Sequence, residues 1–167
     1  MATVIPALGT CVSRMTQGER RTAERLEQKL DDDYLVWYDV PVVPKHAHPD
    51  FVVLHPRRGL LILEVKDWRL ETILTARKQT WEILAQGVPK TVPNPIEQAR
   101  HYAHQVIDAL ARDPRLTSAD GKLAFPWSYG VVLTHITRRQ FEAAELHLAI
   151  EPHRVVCSDE MTATVEA

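Results

Sequence analysis

The chain has 167 residues, 45% of them hydrophobic and 25% charged, and its formal net charge is −2. This length fits one domain with a substantial core, and the balance of residue types is that of a folded globular protein. The sequence contains no apolar run near the roughly 20 residues that a membrane span requires. The small net charge does not by itself indicate a protein that binds nucleic acid.

The distribution of charge and of cysteine bears on partners and location. Residues 142–167 contain six acids and one base, a net −5, so residues 1–141 carry +3 of the total of −2. A mildly basic body with an acidic end can bind a polyanion locally. Cys11 and Cys157 do not form a closely spaced metal-binding or redox pair, and the N-terminus, interrupted by Pro6, does not resemble a signal peptide. We therefore expect a cytoplasmic protein.

Local signals divide the chain into helices and strands. Thr16 and Glu19 have the spacing of a capping box, which predicts a helix beginning at Gln17. Asn94 suits an N-cap and Pro95 the first helical position, which predicts a second helix with a buried apolar stripe. In chain order, the predicted elements are a helix over 17–30, a strand over 34–43 ended by Pro44, a hairpin over 50–66, a further hairpin across 77–79, a helix over 94–113, a strand over 128–136, a short helix over 138–148 and a strand over 153–158.

This order of elements is typical of an α/β sandwich around a mixed central sheet. We divide the chain into an N-terminal extension (residues 1–15), one domain (residues 16–160) and a tail (residues 161–167). The tail has little to bury, so we expect it to be either a frayed end or a cut within a longer protein.

The hairpin over residues 50–66 ends in charged residues, although both of its strands are apolar on both faces. If its loop spans residues 55–59, Asp50 faces Glu64, and directly opposed side chains of an antiparallel pair share a face with Cβ atoms about 4.5–5.5 Å apart. Lys66, two residues further on, shares that face. A loop longer or shorter by one residue breaks this arrangement.

Two opposed carboxylates at the end of buried strands predict a metal site. Asp50 and Glu64 repel each other and are partly desolvated there. Lys66 can neutralise one of them, whereas a divalent cation can neutralise both, and hard oxygen ligands suit Mg²⁺ or Mn²⁺. On the first helix, Glu19 is the only acid of the inward-facing stripe, so we expect a third carboxylate to face the sheet.

Three segments of the sequence together resemble a known family, and in the same order: GERRTAERLEQKL, HPDFVVLHPRRGLLILEVKDW and NPIEQARHYAHQV. They contain an acid on the first helix, then PD, then ExK after an apolar strand. The chain thus resembles the PD-(D/E)xK nuclease superfamily, and within it the nuclease-related domain (NERD), which occurs in bacterial proteins, often ahead of helicase modules. The likeness covers residues 18–106.

The resemblance implies a fold, a site and partners. The fold is a restriction-endonuclease-like α/β/α sandwich with a central mixed sheet. Asp50, Glu64 and the Val65 carbonyl are the implied ligands of Mg²⁺ or Mn²⁺, and Lys66 positions the attacking water or stabilises developing charge. The implied partners are DNA and a helicase module in the same chain. The implied active-site residues are Glu19, Asp50, Glu64, Lys66 and Gln98.

We therefore expect metal-dependent phosphodiester hydrolysis of DNA, carried out by one part of a larger DNA-processing or helicase-type protein. Two alternatives stay open. The first is a nucleic-acid-binding or docking module with the same fold that hydrolyses little. The second is a structural interaction domain, which predicts no salt-dependent binding of DNA.

Each site residue also has a purely structural interpretation. Asp50, Glu64 and Lys66 are then a surface ion-pair cluster, which does not explain why the two acids oppose each other. Glu19 is then the capping-box partner of Thr16, a role that does not exclude a place in the active site. Gln98 is then exposed helix surface rather than a ligand for water or phosphate.

Several other residues are less favoured as site residues. Asn94 is more simply an N-cap. Arg57 and Arg58, at a turn tip, suit either DNA phosphate or solvent. A zinc site is not favoured, because HxH and HxxH pairs lack a third fixed ligand. The histidines concerned are His46, His48, His101 and His104.

Overall fold

The computed structural model of the protein describes residues 1–42 and 47–161. Within them, the strands and α-helices in chain order are β1 (Thr3–Ile5), α1 (Leu8–Cys11), α2 (Gln17–Lys29), β2 (Leu35–Tyr38), β3 (Phe51–His55), β4 (Gly59–Lys66), β5 (Ile73–Ala76), β6 (Thr80–Ala85), β7 (Val88–Pro93), α3 (Pro95–Leu110), β8 (Trp127–Leu133), α4 (Arg138–Ala143) and β9 (Val155–Cys157). None of these helices has the length and apolar character needed to cross a membrane.

Six of the strands form a central mixed sheet in the order β1-β2-β3-β4-β8-β9. Strand β3 is antiparallel to both β2 and β4, whereas β1 is parallel to β2, and β8 is parallel to both β4 and β9. Parallel neighbours need a long crossover connection. Between β4 and β8, that connection contains the remaining three strands and α3.

The two faces of the central sheet are covered by different helices. On one face, Ala23 of α2 is fully buried in a cluster with Phe51 and other strand residues. On the other face, α3 packs over β4 and β8, and Ala103 and Val106 of α3 cluster with Ile62 of β4. The chain therefore forms the α/β/α sandwich that the sequence predicts.

Strands β5, β6 and β7 form a separate antiparallel sheet, here called the small sheet. Trp81 of β6 is fully buried and packs with Val131 of β8 and residues of α3. The predicted hairpin across residues 77–79 is confirmed. Strand β7 was not predicted, because Pro89 and Pro93 argue against a strand. Since β7 lies at the edge of the small sheet, its prolines are tolerated there.

Other elements also differ from the sequence prediction. Residues 1–15, which the sequence sets apart as an extension, supply the edge strand β1, whose Val4 is buried in the main core. The helix expected over residues 138–148 is interrupted, because Glu145 has a left-handed φ of 57°. A short 3-10 turn over Leu146–Leu148 follows it.

The strand predicted over residues 34–43 is also shorter than expected. It ends at Tyr38, because Asp39 has a positive φ of 50°. Its expected stop at Pro44 falls among residues 43–46, outside the described part of the chain. The predicted tail, apart from its first residue, lies outside it as well.

Candidate active site

The turn of the β3–β4 hairpin sets which residues of its two strands oppose each other. His55 pairs with Gly59, so the residues between them form the turn. The Nδ1 atom of His55 accepts hydrogen bonds from the backbone N–H groups of Arg57 and Arg58, at 3.0 and 3.1 Å. Gly59 has a φ of +86°, and a Cβ at this position would lie 1.9 Å from the Pro126 carbonyl oxygen. Only glycine fits this turn without strain, and the predicted register is confirmed.

This register brings Asp50 and Glu64 together. Because Phe51 pairs with Leu63, Asp50 lies opposite Glu64, one residue beyond the last paired positions. The two carboxyl groups are within hydrogen-bonding reach of each other when one of them is protonated. Glu64 is only 3% exposed, and no N–H or O–H donor among the described residues reaches its buried Oε2 atom. One of the two carboxylate oxygens of Glu64 is therefore buried without a hydrogen-bond donor among the described residues.

Burial dominates the protonation of this pair. It raises the pKa of both carboxyl groups, and the neighbouring Asp50 charge raises the pKa of Glu64 further. The Val65 N–H group and the Lys66 charge act in the opposite direction on the pKa of Asp50. Both pKa values rise mainly because burial disfavours the charged form; a neighbouring carboxylate adds to the rise, Glu19 for Asp50 and Asp50 for Glu64.

Val65 and Lys66 complete the part of the site at the end of β4. Asp50 Oδ2 accepts the Val65 N–H at 2.7 Å. The N–H and C=O of one residue in an extended strand point to the same side, so the Val65 carbonyl also faces Asp50. Lys66 Nζ lies 3.4 Å from Glu64 Oε1 and 5.4 Å from the centroid of the Trp68 ring. The oxygens of the three predicted metal ligands are thus grouped beside an ammonium.

Glu19 reaches this end of the sheet from α2. Its Oε2 atom accepts hydrogen bonds from the Thr16 N–H and from the Tyr38 hydroxyl, both at 2.9 Å. The predicted capping box is therefore present. The Glu19 charge also contributes to raising the pKa of Asp50, which places Glu19 close to the opposed pair. Glu19 thus caps its helix and faces the sheet at once.

The sequence did not identify Tyr38 as part of the site. Tyr38 is 5% exposed, and burial followed by its bond to Glu19 raises the pKa of its hydroxyl, which stays a donor. A buried tyrosine in a predicted strand is a general signal that its hydroxyl needs a partner. The partner itself lies on another element, and the sequence gives no indication of it.

A second group missed by the sequence, here called the Asp67 clasp, consists of Asp67, Gly18 and Thr134. The Asp67 carboxylate accepts the Gly18 N–H at 3.1 Å and the Thr134 hydroxyl at 2.5 Å. The Thr134 N–H donates to the Lys66 carbonyl at 3.1 Å. A Cβ on Gly18 would lie 1.5 Å from Asp67 Oδ1. The clasp therefore fixes the first turn of α2, which carries Glu19, against the end of β4.

Gln98 is not joined to the carboxylates by any hydrogen bond among the described residues. It lies near the start of α3, on the helix that covers β4, and is half-buried. Its Nε2 atom donates instead to the Tyr102 hydroxyl at 3.3 Å. Asn94 is the N-cap, as predicted, and its Oδ1 atom accepts the Ile96 N–H at 3.0 Å.

The remaining candidates lie apart from the cluster or have other partners. Arg57 and Arg58 are exposed at the opposite end of the hairpin. His48 pairs with Asp39 at 3.1 Å, whereas His46 lies outside the described residues. Within the described ranges, no three His, Cys, Asp or Glu side chains are grouped to hold a metal ion. That finding gives a zinc site no support. It also means that a cation at the opposed pair would rely on two carboxylates and a carbonyl.

Comparison with known families agrees with the fold. An α/β/α sandwich around a mixed sheet, with the hairpin and ExK motif at its centre, is a restriction-endonuclease-like fold. The sequence model of the nuclease-related domain, NERD, matches residues 14–134 of the chain. The chain therefore belongs to the nuclease-related domain family. No curated protein matches the sequence significantly, and neither does any solved structure.

Proposed function

We propose that this domain hydrolyses phosphodiester bonds of DNA with the help of a divalent cation. The observation that carries the proposal is the opposed pair Asp50 and Glu64, with Lys66 Nζ 3.4 Å from Glu64. A solvated ion-pair cluster explains this arrangement less well. Glu64 is only 3% exposed, and the residue opposite it, just before β3, is another acid.

The donor atoms present suit Mg²⁺ or Mn²⁺. Asp50 and Glu64 offer carboxylate oxygens, and Val65 offers a carbonyl oxygen on the same side. Mg²⁺ keeps several waters and is commonly held by one or two carboxylates, so a third acidic ligand is not required. The buried Glu64 Oε2 atom, which no donor reaches in the part of the chain that the structure describes, is the kind of atom that a cation satisfies. When bound, the ion polarises the phosphate and activates water.

The chain's own residues have distinct roles in this proposal. Lys66 presents an ammonium that stabilises the charge developing on the phosphate or orients the attacking water. Glu19, held by Tyr38, provides a further acceptor beside the pair. The Gln98 amide can bind water or phosphate once it turns away from Tyr102.

The direct test is a cleavage assay. Labelled DNA is incubated with the purified domain in chelator, in Mg²⁺ and in Mn²⁺. The wild type is expected to cleave only with a cation, and Glu64→Ala to be inactive. Glu142→Ala, which changes an exposed glutamate on α4, is the matched control and should keep the wild-type rate. A Glu64→Ala variant with the wild-type rate would refute the site assignment.

The same assay separates this proposal from its alternative. A wild type that binds DNA in a salt-dependent manner yet cleaves none of it in any cation would favour the nucleic-acid-binding or docking module. For the full-length protein, we propose a DNA-processing role, with a helicase module as the partner that the resemblance implies.

A further inference from the structure

The small sheet lies beside the carboxylate cluster. It occupies the chain between β4, which ends at Lys66, and the start of α3. Trp68 follows β4, and its ring centroid lies 5.4 Å from the Lys66 ammonium and 5.9 Å from the ring centroid of Trp81 in β6. Since Trp81 is fully buried, these contacts hold the small sheet next to the Lys66 end of the site.

The turn between β5 and β6 is held in place by a buried asparagine. The Nδ2 atom of Asn94 lies 3.1 Å from the carbonyl oxygens of both Arg77 and Lys78. The Asn94 backbone N–H donates to the Gln79 carbonyl at 2.8 Å, and the Trp81 indole donates to the Arg77 carbonyl at 3.0 Å. An N-cap role needs only the side-chain oxygen of Asn94. Its amide nitrogen additionally fixes the backbone of an exposed turn against the start of α3.

Two cations project from this fixed turn. The side chains of Arg77 and Lys78 are exposed and, within the described residues, have neither an ion pair nor a hydrogen bond. Residues 69–93 contain four bases and two acids, a net +2, in a chain whose total is −2. The other two bases, Arg69 and Lys90, are also exposed and unpaired in the same part of the chain.

The rigidity of the turn is what separates it from an ordinary solvated turn. Cations on a backbone that is already ordered lose less conformational entropy when they bind. Unpaired cations held near a hydrolytic site are complementary to a polyanion, and contacts to phosphate position a nucleic acid without reading its sequence.

We propose that Arg77 and Lys78 bind phosphates of the nucleic-acid backbone and hold the strand against the carboxylate cluster. The inference rests on the proposed function in one respect, because it takes the partner to be nucleic acid. The proposed surface would hold the nucleic acid. It would therefore affect the affinity for the substrate rather than the rate of the chemical step.

The experiment compares two matched double variants. One is Arg77→Ala with Lys78→Ala. The control is Arg57→Ala with Arg58→Ala, which removes two exposed cations from the β3–β4 turn, about 17 Å along β4 from Glu64 at 3.3 Å per residue. Binding of fluorescein-labelled duplex DNA is measured by anisotropy in chelator, over a series of KCl concentrations. Circular dichroism on heating shows whether each variant stays folded.

The Arg77/Lys78 variant is expected to bind on the order of tenfold more weakly, since an exposed ion pair contributes up to about fivefold per cation. The slope of log affinity against log salt should become shallower by roughly 0.9 for each lost phosphate contact. The Arg57/Arg58 variant should stay within about twofold of the wild type. Arg77→Lys with Lys78→Arg, which conserves the charge, should restore the salt slope.

Cleavage is measured separately, so that the two proposals can fail independently. If the wild type cleaves DNA, the Arg77/Lys78 variant should raise KM and leave kcat unchanged. If the wild type cleaves no DNA but the Arg77/Lys78 variant still binds DNA more weakly than the wild type, the nuclease proposal fails and the phosphate surface stands. A wild type that binds no DNA, or equal losses of affinity in both double variants, overturns the inference.

Discussion

Asp50 and Glu64 lie directly opposite each other at the end of the β3–β4 hairpin, where burial raises the pKa of both carboxyl groups. Two like charges in this position cost folding free energy unless a proton, a lysine or a cation neutralises them. Unfolding in chelator, of a variant that lacks one charge and at several pH values, measures that cost in the protein without a bound cation.

Replacing Asp50 with Asn removes one charge but keeps the shape of the side chain, including an oxygen that can accept the Val65 N–H. In chelator, Asp50→Asn should raise the free energy of unfolding by about 0.2–1 kcal/mol, the usual scale of a cross-strand pair. The gain is smaller if Lys66 already screens the repulsion. Urea unfolding of both proteins measures this difference.

The same two proteins should respond differently to Mg²⁺. A cation that binds only the folded state stabilises it by RT ln(1 + [Mg]/Kd), and the variant has lost one ligand charge. Millimolar Mg²⁺ should therefore stabilise the wild type more than Asp50→Asn. A variant that is less stable in chelator and has an unchanged response to Mg²⁺ would make Asp50 a structural residue only.

The raised pKa values predict a particular dependence of stability on pH. Above the ordinary carboxyl pKa of about 4, the folded protein binds more protons at this pair than the unfolded chain does. The pair's contribution to the free energy of unfolding should therefore fall as the pH rises from about 4 through the folded-state pKa values, about 6 for Asp50 and about 8 for Glu64. Urea unfolding in chelator at several pH values should show a smaller fall in Glu64→Gln than in the wild type. Parallel curves for the two proteins would contradict the raised pKa values.

The Asp67 clasp predicts that Gly18 tolerates no side chain. In Gly18→Ala, the added Cβ would lie 1.5 Å from Asp67 Oδ1, so the clasp must open. Overpacking of this kind costs about 1–3 kcal/mol. The matched control is Gly9→Ala in α1, where nothing lies within 4 Å of the new Cβ. Gly9→Ala should be neutral or stabilise by up to about 1 kcal/mol. Equal stabilities of the two variants in urea would show that the clasp is open in solution.

Tyr38→Phe tests whether the Tyr38 hydroxyl orients Glu19. The ring contact with Phe51, at 5.5 Å between centroids, is kept, whereas the bond to Glu19 is lost. A hydrogen bond to a charged group contributes about 1.5–3 kcal/mol, so we expect a loss of stability of that order, together with slower cleavage of DNA. Tyr34→Phe is the control, because the Tyr34 hydroxyl has no hydrogen bond among the described residues. Unaltered stability and cleavage in Tyr38→Phe would mean that Glu19 does not depend on this bond.

The features that the sequence predicted correctly depend on residues close together in the chain. The capping box of Thr16 and Glu19 and the N-cap at Asn94 are signals of this kind. So is the Pro/Gly turn between β3 and β4, whose length alone decides that Asp50 faces Glu64. The central geometry of the site therefore follows from a single short turn.

The features that the sequence did not reveal depend on long-range contacts or on edge positions. Asp67 bonds to Gly18, 49 residues away, and to Thr134, 67 residues away. Tyr38 meets Glu19 only because β2 and α2 pack together. The prolines of β7 argue against a strand unless it is known to lie at a sheet edge. The sequence also does not predict how a side chain is oriented. Gln98, for example, donates a hydrogen bond to Tyr102 rather than to the carboxylates.

Binding of a divalent cation by Asp50 and Glu64 is the step on which the proposed hydrolysis depends most. Calorimetric titration of the metal-free domain with Mn²⁺ tests this directly, with Glu64→Gln and the exposed-site control Glu142→Gln titrated alongside. We predict one bound ion per chain in the wild type and in Glu142→Gln, and binding at least tenfold weaker in Glu64→Gln, in line with the loss of one charged ligand. Identical Mn²⁺ titrations of the wild type and Glu64→Gln would contradict the account.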